Sequence, residues 1–262
     1  MAEWWEEQRA ALVIAHPGHE LRLHHWLERA RPLAFILTDG SGHTDRSRIR
    51  STSAALARAG ARQGPIYGAL SDRDLYQAVL AGRRETFASL VDALALALQR
   101  ENVDYVVGDA VEGFNPGHDI CRLLLNAALM RIGPVGGDRP RNLEFAVNGP
   151  PECPAEDRAD AVVLALDDDA YRRKIEALRA YPEMAAEAER LLGDHGEAAF
   201  RTECLRPVHY GLEIASRFAH PCFYESYGEK QVAAGFYGQV IRFREHIAPL
   251  ASYLGAQRQA GT

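Results

Sequence analysis

Short apolar runs alternate with longer amphipathic stretches along this chain, and this alternation restricts the possible folds more than any other feature. Six segments are predicted as strands, the first two of them buried: residues 12–15, 33–37, 64–70, 105–108, 143–147 and 161–166. Helical patterns separate the first four. A strand followed by a helix that returns beside that strand builds a parallel sheet with helices on both faces. The sequence therefore predicts an α/β fold with a Rossmann-like, doubly wound, mainly parallel sheet.

The last part of the chain differs from this pattern. With 262 residues, of which 47% are hydrophobic, the chain is long enough for one large domain and an appendage. We expect the α/β domain over residues 1–200 and a C-terminal extension over residues 201–262. The extension is rich in aromatic residues and histidines, which suits a lid or a dimer contact. It is predicted to end in a long helix over residues 232–254, because apolar residues recur there with helical spacing.

Charge and cysteine usage narrow the class of partner. The formal net charge of −6 gives no general basic surface, which argues against nucleic acid or an anionic membrane as the partner. The four cysteines form no Cys-x-x-Cys pair, and no signal peptide or membrane-spanning segment is recognised. We expect a cytoplasmic protein that acts on a small molecule, with homo-oligomerisation left open.

Two predicted strands end in the same arrangement, a Pro-Gly turn next to histidine. Residues 12–15 lead into His16 and His19, which flank such a turn, and the strand at 105–108 is followed by a loop in which Pro-Gly precedes His118. The carboxyl ends of parallel strands form the usual ligand crevice of an open α/β sheet, so these histidines can converge there. Three neutral imidazoles with open positions suit zinc, or iron, in a catalytic site.

These two bends resemble motifs of the LmbE-like, or PIG-L, de-N-acetylase superfamily. His16-Pro-Gly-His-Glu20 resembles its His-Pro-Asp-Asp-Glu signature, and Asn115-Pro-Gly-His118 resembles its second motif, His-Pro-Asp-His. The resemblance extends over roughly residues 10–182.

Shorter segments between the two motifs, and one after them, support the resemblance. Leu37-Thr-Asp-Gly40 and Leu70-Ser-Asp72 are similar to the loops after the second and third strands of that family. Arg50 begins a segment like the family's Arg-x-x-Glu helix, with Ser53 in place of the Glu. The segment from Lys174 to Tyr181 is similar to the family's Lys-x-x-Ala-Leu-x-x-Tyr helix.

The resemblance implies a metal-dependent N-deacylase acting on a small polar metabolite such as an N-acetylated sugar or glycoside. By this analogy, Zn²⁺ (Fe²⁺ as the alternative) is held by His16, His19 and His118, and water on the metal attacks the amide carbonyl. Asn115 would stabilise the oxyanion. The residues implied to bind substrate, or to wall the pocket around it, are Arg50, Asp72 and Ser41.

The proton-transfer residues of the family are replaced here. Gly18 stands where the family has its proposed general base, while Asn115 and Gly117 stand where it has a second catalytic histidine and the Asp partner of that histidine. A positioned acid–base group contributes about 10²–10⁴-fold to a rate, so the change matters. Four side chains near the predicted crevice could supply the missing base, and the sequence does not choose among them: Asp39, His43, Glu112 and Asp119.

Two other functions remain open at this point. Three imidazoles with free coordination positions also suit a non-hydrolytic, iron-dependent enzyme. A family member that has lost its base could instead hold metal and ligand without turnover, because a fold does not determine a function. Metal identity and the presence of turnover separate these alternatives.

Overall fold

One sheet organises the chain in the computed structural model, which describes residues 3–42, 45–132, 139–151, 153–218 and 220–257. Its strands are β1 Ala10–Ile14, β2 Leu33–Thr38, β3 Arg62–Leu70, β4 Tyr105–Asp109, β5 Arg141–Phe145, β6 Val162–Ala165 and β7 Thr202–Pro207. Their order is β3-β2-β1-β4-β5-β7-β6. The first five strands in this order are parallel, and β7 is antiparallel to both of its neighbours. The predicted α/β fold with a mainly parallel sheet is confirmed.

Helices cover both faces of the sheet. They are α1 His24–Ala30, α2 Ile49–Ala59, α3 Asp72–Leu80, α4 Arg84–Arg100, α5 Pro116–Arg131, α6 Asp168–Arg179, α7 Ala185–His195, α8 Phe223–Ala233 and α9 Ala248–Ala256. Alternate residues of β1 face opposite layers: Val13 lies in the core formed with α3, α4, α5 and α9, and Leu12 in the core formed with α1 and α2. Within the described ranges, every helix is too short or too polar to cross a membrane.

The C-terminal part differs from the sequence-based prediction. Residues 202–207 form β7 between β5 and β6, so the sheet continues beyond residue 200. The prediction of a single long helix over residues 232–254 is wrong. Helix α8 ends at Ala233, Gly235 follows with φ 78°, and helical structure resumes with a π turn at Phe243–Ile247 that leads into α9. Glycine is a poor helix former, and Gly235 and Gly238 interrupt the pattern before the buried stripe resumes.

The centre of the sheet contains a topological switch point. β1 and β4 are neighbours, but the chain continues from β1 to β2 on one side and from β4 to β5 on the other. Such a reversal opens a crevice beyond the carboxyl ends of the two strands. The two histidine bends predicted from the sequence follow β1 and β4, so both lie at this crevice.

Candidate functional site

Three buried imidazoles meet at the switch point. The ring centroids of His16 and His19 are 5.4 Å apart, those of His16 and His118 5.3 Å, and those of His19 and His118 4.5 Å. The three residues are 5%, 9% and 4% exposed. The fold therefore brings together the three residues expected to hold a metal, from two bends about a hundred residues apart.

Glu20 fixes the first bend. Gly18 has φ 107°, a conformation that glycine adopts readily, and its N–H donates to Glu20 Oε2 at 2.7 Å. The other carboxylate oxygen accepts from Thr52 Oγ1 at 2.7 Å, and this hydroxyl also lies 2.8 Å from the Tyr181 hydroxyl. Burial raises the pKa of Glu20, and the hydrogen bonds from Thr52 and Gly18 oppose that rise. The last residue of the first motif thus shapes the loop that carries the histidines.

Hydrogen bonds set the tautomers of His16 and His19. His16 Nδ1 lies 2.8 Å from Thr38 Oγ1, and the Thr38 hydroxyl donates its proton to the Ala15 carbonyl. Thr38 therefore accepts from His16, which places the proton on Nδ1. His19 Nδ1 lies 3.0 Å from both carboxylate oxygens of Asp109, which can only accept when ionised. In the neutral form of each ring, Nε2 is then the unprotonated nitrogen, the arrangement found in metal-binding histidines.

His118 is the least solvated of the three rings. Burial lowers its pKa well below the ordinary value, and the neighbouring His19, His16 and Arg48 act in the same direction. Its Nδ1 and His16 Nε2 are buried without a hydrogen-bond partner among the described residues. Buried nitrogens without a partner are costly, so these two atoms are suited to bind a metal ion.

The space beside His16 also fits a metal ligand. A Cβ atom at Gly117 would lie 2.7 Å from His16 Nε2, so only glycine leaves that nitrogen its position. The donor set of three neutral imidazoles suits zinc or iron. The three rings are adjacent without converging tightly, because their donor nitrogens do not all lie within 4.8 Å of one another. The residues therefore fit a metal by chemistry, burial and tautomer.

Asn115 lies at the N-cap of α5. Its Oδ1 accepts from Gly117 N–H at 2.7 Å and from the Tyr76 hydroxyl at 3.2 Å. Burial raises the pKa of Tyr76, which keeps this hydroxyl protonated as a donor. Because Oδ1 is used twice, the amide NH₂ of Asn115 is the half that can donate to a ligand.

The loop after β2 holds Asp39 and Ser41. Asp39 Oδ1 accepts from Ser41 N–H at 2.9 Å, and the Asp39 carbonyl accepts from Arg48 N–H at 2.8 Å. Asp39 is half-buried and Ser41 is buried. A Cβ at Gly40 would lie 2.8 Å from Pro17 Cδ, so this loop packs directly on the first histidine bend.

Asp72 lies behind His16. Its Oδ1 is 2.9 Å from His16 Nδ1, and its Oδ2 accepts from Gly42 N–H at 2.6 Å. Burial opposes ionisation of Asp72, but the hydrogen bond from His16 outweighs burial and holds the pKa of Asp72 below its usual range. The N-cap of α3 is Ser71, whose hydroxyl accepts from Asp74 N–H at 3.0 Å, so Asp72 does not cap this helix.

The structure places Arg48, rather than Arg50, beside the site. Arg50 is exposed on α2. Arg48 Nε donates to the Gly40 carbonyl at 2.7 Å, and its Nη1 lies 2.9 Å from Met184 Sδ. The charge of Arg48 is also felt at His118. Helix α2 begins at Ile49, which leaves Arg48 half-buried before the first turn.

Met184 covers Gly18, the position that the sequence resemblance aligns with a general base. A Cβ at Gly18 would lie 3.1 Å from Met184 Cγ and 3.2 Å from its Sδ. Together with the positive φ of Gly18, this contact disfavours any side chain there.

The other candidate bases are His43, Glu112 and Asp119, and the two described ones differ in the hydrogen bonds that their carboxylates accept. His43 lies outside the described residues. Glu112 accepts from Asn148 and Gly149 backbone N–H groups at 3.1–3.2 Å. Burial raises the pKa of Asp119 to about 7, and only its Oδ1 is near donors, the N–H groups of Gly113 and Glu112.

Sequence reasoning missed Asp109, Arg48 and Met184 as parts of this site. Asp109 is the last residue of β4, and β4 pairs with β1 through Gly108 and Val13. A carboxylate at the end of the strand next to the first histidine bend was a readable signal. No local pattern marks Met184.

Comparisons with known proteins agree with the fold. No protein-family profile and no curated protein matches the chain by sequence. Solved structures do match. The A40926 pseudoaglycone deacetylase has a TM-score of 0.54 at 16% identity, covering 78% of this chain and 98% of that one. A triple mutant of a deacetylase of teicoplanin biosynthesis has a TM-score of 0.53 at 14% identity, covering 76% and 97%. The zinc-inhibited form of teicoplanin deacetylase has a TM-score of 0.51 at 14% identity, covering 76% of this chain and 97% of that one. This chain therefore shares the fold of these deacetylases.

Proposed function

We propose that this protein is a metal-dependent N-deacylase of the LmbE type, acting on a small polar metabolite such as an N-acetylated sugar or glycoside. The observation that carries the proposal is the group His16, His19 and His118 at the switch point of a deacetylase fold. Two of these rings are fixed as Nδ1–H tautomers, and two buried nitrogens in the group have no partner.

The three imidazoles would hold the metal, zinc in the first instance and iron as the alternative. When bound, the metal would supply Lewis-acid polarisation of the acyl carbonyl and activation of water. Thr38 and Asp109 keep Nδ1 of His16 and His19 protonated, so that Nε2 of each ring is available as a ligand.

Asn115 would act on the acyl oxygen. Its NH₂ donates to the oxygen as negative charge develops there, a role that amide side chains fill in acyl-transfer sites. Tyr76 and the Gly117 N–H both hold Asn115 Oδ1, so the amide is oriented before substrate arrives. Preorganised donors of this kind need little rearrangement during the reaction.

Asp39 is our candidate for the proton acceptor. It is half-buried on a loop that packs on Pro17, and Ser41 N–H engages only Oδ1, so Oδ2 can take a proton. Ser41 lies on the same loop, and Asp72 follows the end of the neighbouring strand β3. Arg48, whose charge lowers the pKa of His118, would contact an anionic or hydroxyl-rich part of the substrate.

Exposed aromatic rings lie beside Asn115 and suit an apolar sugar face or acyl group. Phe114 immediately precedes Asn115 and stacks on Phe223, with ring centroids 4.6 Å apart and an interplanar angle of 3°. Tyr227 continues the stack at 6.1 Å from Phe223. Exposed apolar groups gathered in one place often mark ligand-binding surfaces.

The test combines metal content with turnover. His118→Ala should lose about one metal equivalent per chain relative to the wild type, whereas His209→Ala, a substitution of an exposed histidine, should lose none. The metal-loaded wild type should release amine from a panel of N-acetylated sugars and glycosides, and His118→Ala should not. Unchanged metal content in His118→Ala, or absence of amine release by fully loaded wild type, would refute the proposal.

A second function is favoured by one observation. Met184 covers the position of the family's base at Gly18, so the protein could bind metal and ligand without turning the ligand over. Calorimetry with N-acetylated sugars separates the two: saturable binding without amine release indicates the binding protein. Iron in place of zinc, with dioxygen consumption, would indicate the oxidative alternative.

A further inference from the structure

Three side chains of types that can ligate a metal lie together at the start of α8, in the part of the chain that the family resemblance does not reach. One donor atom from each of His220, Cys222 and Glu225 lies within 4.8 Å of the other two. Cys222 is the N-cap of α8, and Glu225 lies in its first turn. Residues three apart at a helix start share one face, so the thiol and the carboxylate are directed to the same side.

His220 has a defined tautomer. Its Nε2 lies 3.1 Å from the Ala215 carbonyl, which can only accept, so Nε2 carries the proton. Nδ1 is therefore the unprotonated nitrogen, and it lies 3.9 Å from Cys222 Sγ. Metal-binding histidines commonly donate their second ring nitrogen to a backbone carbonyl in this way.

Glu225 and Cys222 are held in the protein interior. Glu225 Oε1 accepts from Phe243 N–H at 3.1 Å, and its Oε2 lies 3.6 Å from Arg242 Nη1. Cys222 is 1% exposed and belongs to the hydrophobic core that contains α4 and α5. The carboxylate and the thiol are thus fixed in place by surroundings that would remain when a cation binds.

A buried polar atom without a partner adjoins this group. Asp119 Oδ2 is buried and has no hydrogen-bond partner in the described part of the chain, and the Tyr224 hydroxyl is buried beside the Cys222 thiol. Both groups are close enough to Cys222 to influence its thiol. Native proteins seldom leave buried polar atoms unpaired, and a frequent explanation is an ion or water that belongs at the site. This observation is independent of the spacing of the three ligands.

We propose that His220 Nδ1, Cys222 Sγ and the Glu225 carboxylate form a second metal site, separate from the three-histidine group and selective for zinc. One imidazole, one thiolate and one carboxylate are zinc ligands, and the thiolate disfavours magnesium or calcium. On binding, the Cys222 thiol loses its proton to solvent as the sulfur–metal bond forms. The two anionic ligands then balance the charge of a divalent cation.

The place of this site in the fold indicates its effect. It joins the turn at Ile214–Arg217, the start of α8 and, through Glu225, the backbone at Phe243. Asp119, beside it, follows His118 directly in α5. A bound cation would therefore fasten the start of α8 to the turn at Ile214–Arg217 and, through Glu225, to the backbone at Phe243, next to the helix that carries His118.

Co²⁺ can substitute for Zn²⁺, and its absorption spectrum distinguishes the two proposed sites. Titration of the full-length protein with Co²⁺ should produce a thiolate-to-cobalt charge-transfer band in the near ultraviolet, which a site made of three imidazoles cannot give. The band should be absent in Cys222→Ser and unchanged in Cys204→Ser, a matched control because Cys204 is also buried, at 3% exposure. It should persist in His118→Ala, so this test does not depend on the proposed deacylase function.

Two milder variants keep the proposal testable if Cys222→Ser does not fold. His220 is exposed, and His220→Ala should weaken Co²⁺ binding, followed at the charge-transfer band, by at least about tenfold. Glu225→Gln keeps an oxygen for Phe243 N–H and should weaken binding similarly. Absence of the band in the wild type, or its persistence at full strength in Cys222→Ser, would overturn the second site. Loss of the band in Cys204→Ser alone would overturn it as well.

Discussion

Substitution of Gly117 by alanine provides a sharp test of the three-histidine site, because one methyl group would touch two of its parts. The Cβ would lie 2.7 Å from His16 Nε2 and 3.1 Å from Asn115 Oδ1. An ordinary contact is 3.4 Å or longer, so the His16 ring has to move by about 0.7 Å. Gly117 has no positive φ, and therefore the backbone itself accepts alanine without strain.

The expected effect on stability is small, and the expected effect on metal binding is large. Alanine favours a helix over glycine by about 1 kcal/mol. Displacement of His16 stretches its hydrogen bond to Thr38, which contributes about 1 kcal/mol, so the two effects nearly cancel in the free energy of unfolding. Loss of the support that orients a metal-binding histidine lowers metal affinity by about 10–100-fold.

The assay pairs urea unfolding of the metal-free protein with a competitive zinc titration. Gly193→Ala is the matched control, because Gly193 also lies in a helix and its Cβ would meet no atom within 4 Å. This control should gain stability and keep its zinc affinity. If Gly117→Ala binds zinc at the three-histidine site as tightly as the wild type, His16 is not a ligand in the position described.

Three further predictions concern stability, each measured by urea unfolding. Gly18→Asp should lower the free energy of unfolding by about 1–3 kcal/mol, because Gly18 has a positive φ and Met184 fills the space beside it. Unchanged stability would contradict this. Lys174→Met should cost about 3–5 kcal/mol, because it leaves buried Glu203 without its 2.9 Å partner; a neutral effect would show that Glu203 is solvated. Burial opposes ionisation of Asp104, but hydrogen bonds from Arg9 outweigh burial, so the pKa of Asp104 lies below its ordinary value. Asp104→Asn should therefore cost at most about 1 kcal/mol at neutral pH, and the difference from wild type should vanish as the pH falls through the lowered pKa. A difference that grows in acid would refute this.

The parallel part of the fold and the grouping of the histidines could be predicted from the sequence because their signals are local. β1, β2 and β4 are short apolar runs, and each histidine bend is marked by adjacent Pro and Gly residues. Parallel strands then bring such bends to one edge without further information.

β7 and the covering of Gly18 could not be predicted, because both depend on distant contacts. β7 carries Glu203 and Arg206 among its apolar residues, and Glu203 is buried only because Lys174 and two backbone N–H groups near His25 surround it. Met184 reaches Gly18 from the segment between α6 and α7. Neither arrangement leaves a periodic pattern in the sequence.

The position of β7 between β5 and β6 has a consequence for synthesis on the ribosome. β6 is made before β7, yet its sheet neighbour is β7, so β6 has no strand to pair with when it emerges. Until residue 207 has been added, one side of β5 also stays unpaired, and exposed strand edges favour association between chains. Closure of the sheet is therefore a late event, and nascent chains that stop before β7 should depend on chaperones more than those that stop after it.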